Sequence, residues 1–205
     1  MKNRHLIITA KIFSELFAPH YFPLVCMMVL MGFSYMRSFP LDYKILILAI
    51  VYLLTIAVPT RFIKLYRKWA TVPEQQRSKR KLRIVPYLIS IACYFACFKV
   101  MSMFIVPHFV ISVVVTAIFV QLTCLFINNW HRISTHCAAA GALNGALLAF
   151  SFIFHFNPTW WLCVTLILAG CVGSSRLILR RHSPMEVNLG LITGFLTGFF
   201  GILVL

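Results

Sequence analysis

The stretch from Cys171 to Gly190 gathers Ser, Arg, His and Glu side chains in an otherwise strongly apolar chain. Arg176 precedes His182, and Glu186 follows the histidine at the i+4 position. A guanidinium binds phosphate through parallel hydrogen bonds, and an imidazole can act as a nucleophile. A carboxylate one helical turn away can fix the imidazole tautomer and leave the other ring nitrogen free to attack. These residues predict phosphate chemistry at this segment.

The same segment carries the signal for a helix start. Ser183, Pro184 and Glu186 form a capping box, with serine at the N-cap, proline at the first helical position and glutamate at the third. Glu186 therefore has a structural alternative to a catalytic role. No capping rule requires a histidine before the cap, so His182 has no such alternative.

A second polar cluster lies at the start of an earlier apolar segment, at Ser134, Thr135 and His136. Serine is a favourable N-cap, and the free N–H groups of a helix start can bind an anion. His136 would lie in the first turn and point to the same place. An ordinary cap with an interfacial histidine is the structural alternative, and it is the better interpretation of this cluster taken alone.

The elements that must position these clusters are membrane helices. The chain is 61% hydrophobic and 11% charged, with a mean hydropathy of +0.90. A soluble domain of this length needs more charge to cover its surface. Several apolar segments reach the roughly 18 residues that mark a bilayer span. We therefore predict an all-α fold, a polytopic membrane helix bundle with six or seven transmembrane helices, in a single domain over residues 1–205.

The predicted order begins with an N-terminal interfacial helix over 1–19 that carries Lys2, Arg4 and Lys11. A basic loop is predicted over 61–84, and residues 85–190 form the core that bears the polar clusters. Pro107 divides the long apolar run 84–127, which as one helix would be about 66 Å long, twice the need of a bilayer. The predicted spans are 20–36, 43–59, 85–105, 107–127, 135–154, 159–173 and 184–205.

The formal charge of +15 is distributed unevenly. With seven spans, the N-terminus, the basic loop and both polar clusters share one face of the membrane. That face holds every Lys and Arg except Arg37, Lys44 and Lys99. Because Lys and Arg concentrate in cytoplasmic loops, we predict that this face is cytoplasmic and that the chain lies in the cell inner membrane. Nucleic acid is not an expected partner, because the basic residues lie in short loops between spans.

The two clusters together resemble the type 2 phosphatidic acid phosphatase superfamily, which also includes vanadium-dependent haloperoxidases. Ser175, Arg176 and His182 match the family's third motif, S-R-x5-H-x3-D, and Glu186 stands in place of its aspartate. The second motif, P-S-G-H, corresponds to the sequence Ile133-Ser134-Thr135-His136, in which Ser and His match while Pro and Gly do not. The chain is similar in its arrangement to short membrane members of the superfamily from bacteria.

The first motif of that superfamily, K-x6-R-P, is not present as written. Its place corresponds to the basic run from Arg77 to Pro86. Lys79 and Arg83 are four residues apart there and would share a helical face. These two residues are the candidates for the first motif.

The resemblance implies hydrolysis of a phosphate monoester or pyrophosphate without a metal or other cofactor. It implies His182 as the nucleophile that forms a phosphohistidine, His136 as the general acid, and Glu186 as the carboxylate that orients the nucleophile. The implied ligands of the substrate phosphate are Arg176, Ser134, Ser175, Thr135, Arg83 and Lys79. The implied substrate is a lipid phosphate whose tail stays in the bilayer.

The sequence leaves several matters open. Phosphatidylglycerophosphate, phosphatidic acid, a polyprenyl pyrophosphate and a lipid A phosphate all fit the predicted site, and the oligomeric state is not determined. A non-enzymatic alternative is a lipid-binding or transport scaffold that keeps a degenerate phosphatase site. Phosphate release and sensitivity to vanadate distinguish the two functions, because a scaffold has neither.

Overall fold

The computed structural model describes residues 2–16, 19–33, 39–69, 80–104 and 106–204, and the regular secondary structure in these residues is helical. A 3-10 turn over Pro19–Tyr21 precedes the second helix, and a π turn over Leu53–Ala57 joins the third to the fourth. The helices are α1 (Lys2–Leu16), α2 (Phe22–Phe33), α3 (Leu41–Tyr52), α4 (Val58–Trp69), α5 (Arg80–Met103), α6 (His108–Ile127), α7 (Thr135–Phe154), α8 (Thr159–Ile178) and α9 (Pro184–Val204).

Six helical segments of the described chain are long and apolar enough to cross a membrane, which confirms the all-α polytopic fold. The apolar helix Pro19–Met31 is shorter. At about 1.5 Å per residue it falls well below the roughly 30 Å of a hydrocarbon core. The long segments are Leu41–Tyr66, Ile84–Met103, His108–Ile127, Thr135–Phe154, Thr159–Ile178 and Pro184–Val204.

The sequence predicts a loop over the whole basic segment 61–84, and this prediction is wrong for both ends of the segment. The helix that begins at Leu41 continues through Pro59 and ends at Trp69, and α5 already begins at Arg80. Proline lacks the N–H for an intrahelical hydrogen bond, which usually ends or kinks a helix. Here the π turn over Leu53–Ala57 ends just before Val58, so Pro59 lies in the first turn of α4, where a proline is tolerated. The basic residues 61–68 are therefore fixed on a helix.

The division of the long apolar run at Pro107 is correct. Helix α5 ends at Met103, and Pro107 is the N-cap of α6. Its φ of −57° and ψ of 140° are extended rather than helical. The two helices therefore cross the membrane in opposite directions, which places the end of α6 at the same end of the bundle as the start of α5.

Helices α7 and α9 pack closely through small residues. A Cβ atom on Gly194 would lie 1.9 Å from the carbonyl oxygen of Ala138, and one on Gly145 would lie 2.2 Å from the carbonyl oxygen of Phe195. Only glycine permits such an approach of two backbones. This contact fixes the start of α7 against the start of α9, and those are the two helix starts that carry the polar clusters.

Helix α1 packs against α8. Ala10 and Ser14, four residues apart on one helical face, are 6% and 5% exposed, whereas Ile8 and Ile12 are about half exposed. The small side chains allow the two helices to approach closely. The interfacial placement of α1 stays a prediction, and the contact with α8 ties this helix to the bundle.

Candidate functional site

The C-terminal end of α8 holds Arg176 inside the bundle and then turns the chain sharply. Arg176 is 6% exposed, although it carries a full charge. The backbone N–H of Arg181 donates to the Arg176 carbonyl at 3.2 Å, and that of Arg180 donates to the Leu177 carbonyl at 2.9 Å. This is the Schellman pattern of a helix end, in which the residue before the last donor is left-handed.

Arg180 occupies that left-handed position with a φ of 50°. Glycine or asparagine is the usual residue there, and a side chain with a Cβ costs about 1–2 kcal/mol in this conformation. Arg180 thus occupies a position at which glycine would avoid this backbone strain. The exposed guanidinium side chain faces a large cavity, described below.

Two polar partners hold the guanidinium of Arg176. Nη2 lies 2.9 Å from Nδ1 of His136, and Nη1 donates to the Ser14 hydroxyl at 2.6 Å. Because a guanidinium can only donate, Nδ1 of His136 is the acceptor in this contact. The neutral His136 ring then carries its proton on Nε2. Arg176 thus connects the end of α1 and the start of α7 to the end of α8.

His182 and Glu186 form a second close polar pair at the site. Nδ1 of His182 lies 2.6 Å from Oε2 of Glu186, and the two side chains are 8% and 22% exposed. A carboxylate that accepts from Nδ1–H selects the tautomer in which Nε2 is unprotonated. The Glu186 backbone N–H also donates to the Ser183 hydroxyl at 3.3 Å, so serine caps α9 while the glutamate side chain turns to the histidine.

The two histidines are therefore held in opposite tautomers. His182 presents an unprotonated Nε2, and His136 presents a protonated one. His182, His20 and Arg181 all lie within electrostatic range of His136. A phosphoryl transfer through histidine requires two groups at a common site, a nucleophilic nitrogen and a nitrogen that bears a proton.

Ser134 lies beneath this site rather than facing it. It is fully buried, and its hydroxyl donates to Sγ of Cys137 at 3.2 Å. Its backbone N–H donates to the Glu186 carbonyl at 3.3 Å, which joins the start of α7 to the start of α9. Ser134 is the N-cap of α7 by its extended backbone, but its side chain forms no cap hydrogen bond. The next residue, Thr135, faces the cavity.

A cavity of about 930 Å³ runs from the clustered polar residues into the bundle. Thr135, His136, Arg176 and His182 line one end, and the rest of the lining is largely apolar with some polar side chains, among them Thr116 and Gln121. Along α7 the lining extends from Thr135 to Ala146, about 16 Å by helix rise. The apolar lining includes Val113, Leu143, Ala146 and Ile202, and the polar end also includes His20, Lys64, Arg132, Arg180 and Arg181. The cavity thus combines a cationic end with a largely apolar remainder.

Ser175, like Ser134, was predicted to bind phosphate but does not line the cavity, and the side chains of Arg83 and Lys79 are not described. The Ser175 hydroxyl donates to the Val172 carbonyl at 2.7 Å within α8, and Ser175 is 3% exposed. Arg83 lies in the first turn of α5, but its side chain is outside the described part. Lys79 lies outside the described residues altogether.

The sequence interpretation missed Ser14, Lys64 and Arg132 at this site. Ser14 is 162 residues away from its partner Arg176, and no local motif indicates that contact. The sequence predicts Lys64 in the basic loop 61–84. In the structure the helix continues through this position, and Lys64 lines the cavity. The one signal in the sequence was the four-residue spacing of Thr60 and Lys64, which puts both side chains on one face if the helix continues.

Metal ligands do not cluster in the part of the chain that the structure describes. There, no group of three or more His, Cys, Asp or Glu side chains could hold a metal ion.

Comparison with known proteins gives one match. A family model described as the PAP2 superfamily matches residues 126–205. The match confirms the resemblance drawn from the second and third motifs, and it contains both histidines of the site together with Arg176 and Glu186. It does not extend to the basic run around Lys79 and Arg83. No curated protein and no solved structure matches the chain.

Proposed function

From the PAP2 superfamily match over residues 126–205, we propose that the chain is an integral-membrane lipid phosphatase. It hydrolyses a phosphate monoester or pyrophosphate on a lipid headgroup through a phosphohistidine. The observation that carries the proposal is the pair of opposite histidine tautomers beside Arg176. The family match supports phosphatase chemistry on lipid in general, and the mechanism below belongs to the proposal.

The reaction begins with attack of His182 Nε2 on phosphorus. Glu186 holds the ring by Nδ1 and stabilises the positive charge that develops on it. A nitrogen–phosphorus bond forms, and the bond from phosphorus to the lipid oxygen breaks. Arg176 stabilises the negative charge that builds on the phosphate oxygens, because a guanidinium aimed at those oxygens is worth far more in a partly buried site than in water.

His136 supplies the proton to the departing lipid oxygen. In the structure its Nδ1 accepts from Arg176, so this ring is neutral before substrate binds. A bound phosphate draws Arg176 Nη2 to its own oxygens and frees His136 Nδ1 to take up a proton. The resulting imidazolium donates from Nε2 to the leaving oxygen, then accepts a proton back from the water that cleaves the phosphohistidine.

The cavity supports a lipid as the substrate. Its cationic end lies at the helix termini, where headgroups lie, and the rest of its lining is largely apolar. A volume of about 930 Å³ lies within the range of about 300–1,000 Å³ that holds a drug-sized ligand. A lipid can therefore present its phosphate to His182 while part of its tail enters between the helices.

The substitution His182→Ala tests the proposal. We expect it to abolish phosphate release from lipid phosphates by the purified chain in detergent, because the attacking nitrogen is removed. The wild type, quenched during turnover of a radiolabelled substrate, should carry an acid-labile and base-stable phosphate that the variant lacks.

His108→Ala is the matched control for this variant. His108 is an exposed histidine at the start of α6, at the opposite end of the bundle. It should keep wild-type turnover. Wild-type turnover in His182→Ala would rule out this nucleophile. Absence of turnover in the wild type, with retained binding of lipid phosphates, would favour the non-enzymatic scaffold.

A further inference from the structure

The cationic end of the cavity holds more positive charge than the motif residues supply. Lys64 from α4, Arg132 from the segment before α7, and Arg180 and Arg181 from the end of α8 all line it. We refer to these four residues as the basic rim. All four are exposed, so they face the approach to the site rather than its buried interior.

No described acidic residue balances the basic rim. None of the residues that line the cavity is Asp or Glu, and no ion pair to a rim residue occurs in the described chain. Glu186, the acid of this region, is bound to His182. A phosphate monoester carries about −1.5 to −2 at neutral pH, which Arg176 and one further cation would neutralise. The positive charge of the basic rim therefore exceeds the charge needed to neutralise one phosphate group.

The backbone of Arg180 is a second, independent indication. Its φ of 50° is one at which a residue with a side chain is strained. Helix ends with this geometry normally use glycine, which the turn would accept without strain. Strained backbone at a cavity is a recurrent feature of ligand sites. The turn itself therefore does not favour an arginine at this position.

The rim is also close to the reacting groups. Arg180 and Arg181 directly precede His182 in the chain, and Arg181 lies within electrostatic range of His136. A second anionic group beside the phosphate attacked by His182 would therefore meet the rim.

We propose that the basic rim is a second anion subsite that binds a phosphoryl group directly attached to the reacting one. The substrate class is then a lipid diphosphate, and this rests on the proposed phosphatase function. His182 takes the terminal phosphoryl group as the bond from its phosphorus to the bridging oxygen breaks. The bridging oxygen takes the proton of His136 and leaves on a lipid monophosphate, which the rim binds. Water then releases inorganic phosphate from His182.

The test compares two substrates that share one tail, such as farnesyl monophosphate and farnesyl diphosphate, in uncharged detergent. The variant Arg180→Gly removes the guanidinium and suits the left-handed backbone. We expect its melting temperature to equal or exceed that of the wild type. We expect the ratio of kcat/KM for diphosphate to kcat/KM for monophosphate to fall at least about tenfold, since a charge-assisted hydrogen bond is lost.

Lys68→Ala is the control, because Lys68 is an exposed cation of α4 that does not line the cavity. It should leave the ratio unchanged. Equal losses on both substrates in Arg180→Gly, or no loss, would overturn the second subsite. A loss that appears only in vesicles containing phosphatidylglycerol, and not in uncharged detergent, would assign the rim to bilayer headgroups and also overturn it.

The same measurements separate this proposal from the proposed function. Wild-type turnover of the monophosphate measures the phosphatase activity itself. The ratio of kcat/KM for the diphosphate to kcat/KM for the monophosphate measures the contribution of the second subsite. If the wild type turns over neither substrate, inorganic pyrophosphate and inorganic phosphate replace them in a thermal-shift titration with chelator present. A preference for pyrophosphate that Arg180→Gly abolishes would support the subsite, and equal shifts by both anions would reject it.

Discussion

At the level of single residues, the carboxylate that follows His182 is a glutamate where the superfamily motif has an aspartate. The longer side chain still reaches Nδ1 at 2.6 Å, because both residues flank the first turn of α9. The glutamate thereby gives up the reciprocal half of the capping box, and only the serine half is formed. The sequence left a structural and a catalytic role open for Glu186. The side chain contacts the histidine, and the backbone N–H serves the cap.

Ser14 provides a residue-level prediction about the positioning of Arg176. Its hydroxyl accepts from Nη1 but does not line the cavity, so Ser14 binds the guanidinium on the side away from the cavity. We expect Ser14→Ala to lower kcat about tenfold, since a hydrogen bond to a charged group is lost and the arginine is less well oriented. Steady-state kinetics on a lipid phosphate would measure this.

Two further variants separate positioning from a general effect on α1. Ser14→Thr keeps the hydroxyl and should retain most of kcat. Thr9→Ala removes an exposed hydroxyl of the same helix that donates to the His5 carbonyl, and it should leave kcat unchanged. An unaltered kcat in Ser14→Ala would contradict the role assigned to Ser14.

At the level of helices, the site depends on how closely α7 and α9 approach. Ser134 and His136 start one helix, and Glu186 lies at the start of the other. The Ser134 N–H to Glu186 carbonyl hydrogen bond requires the two starts to be in contact. The glycines of α9 permit this, and Asn144 adds a polar link from α7 to Thr165 of α8, whose hydroxyl donates to the amide oxygen at 2.7 Å.

Gly194→Ala should therefore destabilise the bundle and inactivate the site together. The added Cβ would lie 1.9 Å from a backbone carbonyl, which cannot move without separating the helices. We expect a loss of about 1–3 kcal/mol, the usual range for overpacking. A thermal melt in detergent, with turnover measured on the same preparation, would detect it.

Gly170→Ala is the comparison for that variant, because a Cβ on Gly170 of α8 would meet nothing within 4 Å. It should be neutral or slightly stabilising, since alanine is the better helix former. Equal stability of Gly194→Ala and Gly170→Ala would mean that close packing of α7 on α9 is not what holds the site.

At the level of the whole molecule, the described basic residues of α4, of the segment before α7 and of the end of α8 lie at the end of the bundle that holds the site. Lys44 and Lys99 lie near the other end, at the start of α3 and the end of α5. This asymmetry follows the rule that Lys and Arg remain cytoplasmic. We propose that the chain lies in the cell inner membrane with its site facing the cytoplasm.

Paired cysteine reporters test this orientation in intact cells. Lys68→Cys lies at the site end and His108→Cys at the opposite end, and both positions are exposed. A membrane-impermeant thiol reagent should label His108→Cys directly and Lys68→Cys only after permeabilisation, above the background of the native cysteines. The reverse pattern would place the site on the outer face and show that catalytic need had overridden the charge rule.

The sequence by itself determined the membrane fold, the division at Pro107, the two helix starts and the residues of the third motif. These are local properties: hydropathy over one span, proline geometry, a cap, and a spacing of four residues. Only the tertiary structure decided that Ser175 bonds within its own helix, that Ser14 reaches Arg176, and that Lys64 and Arg132 join the cavity. Those contacts join residues far apart in the chain. They depend on the close approach of backbones and on a π turn after which the helix continues through Pro59, and neither follows from local propensity.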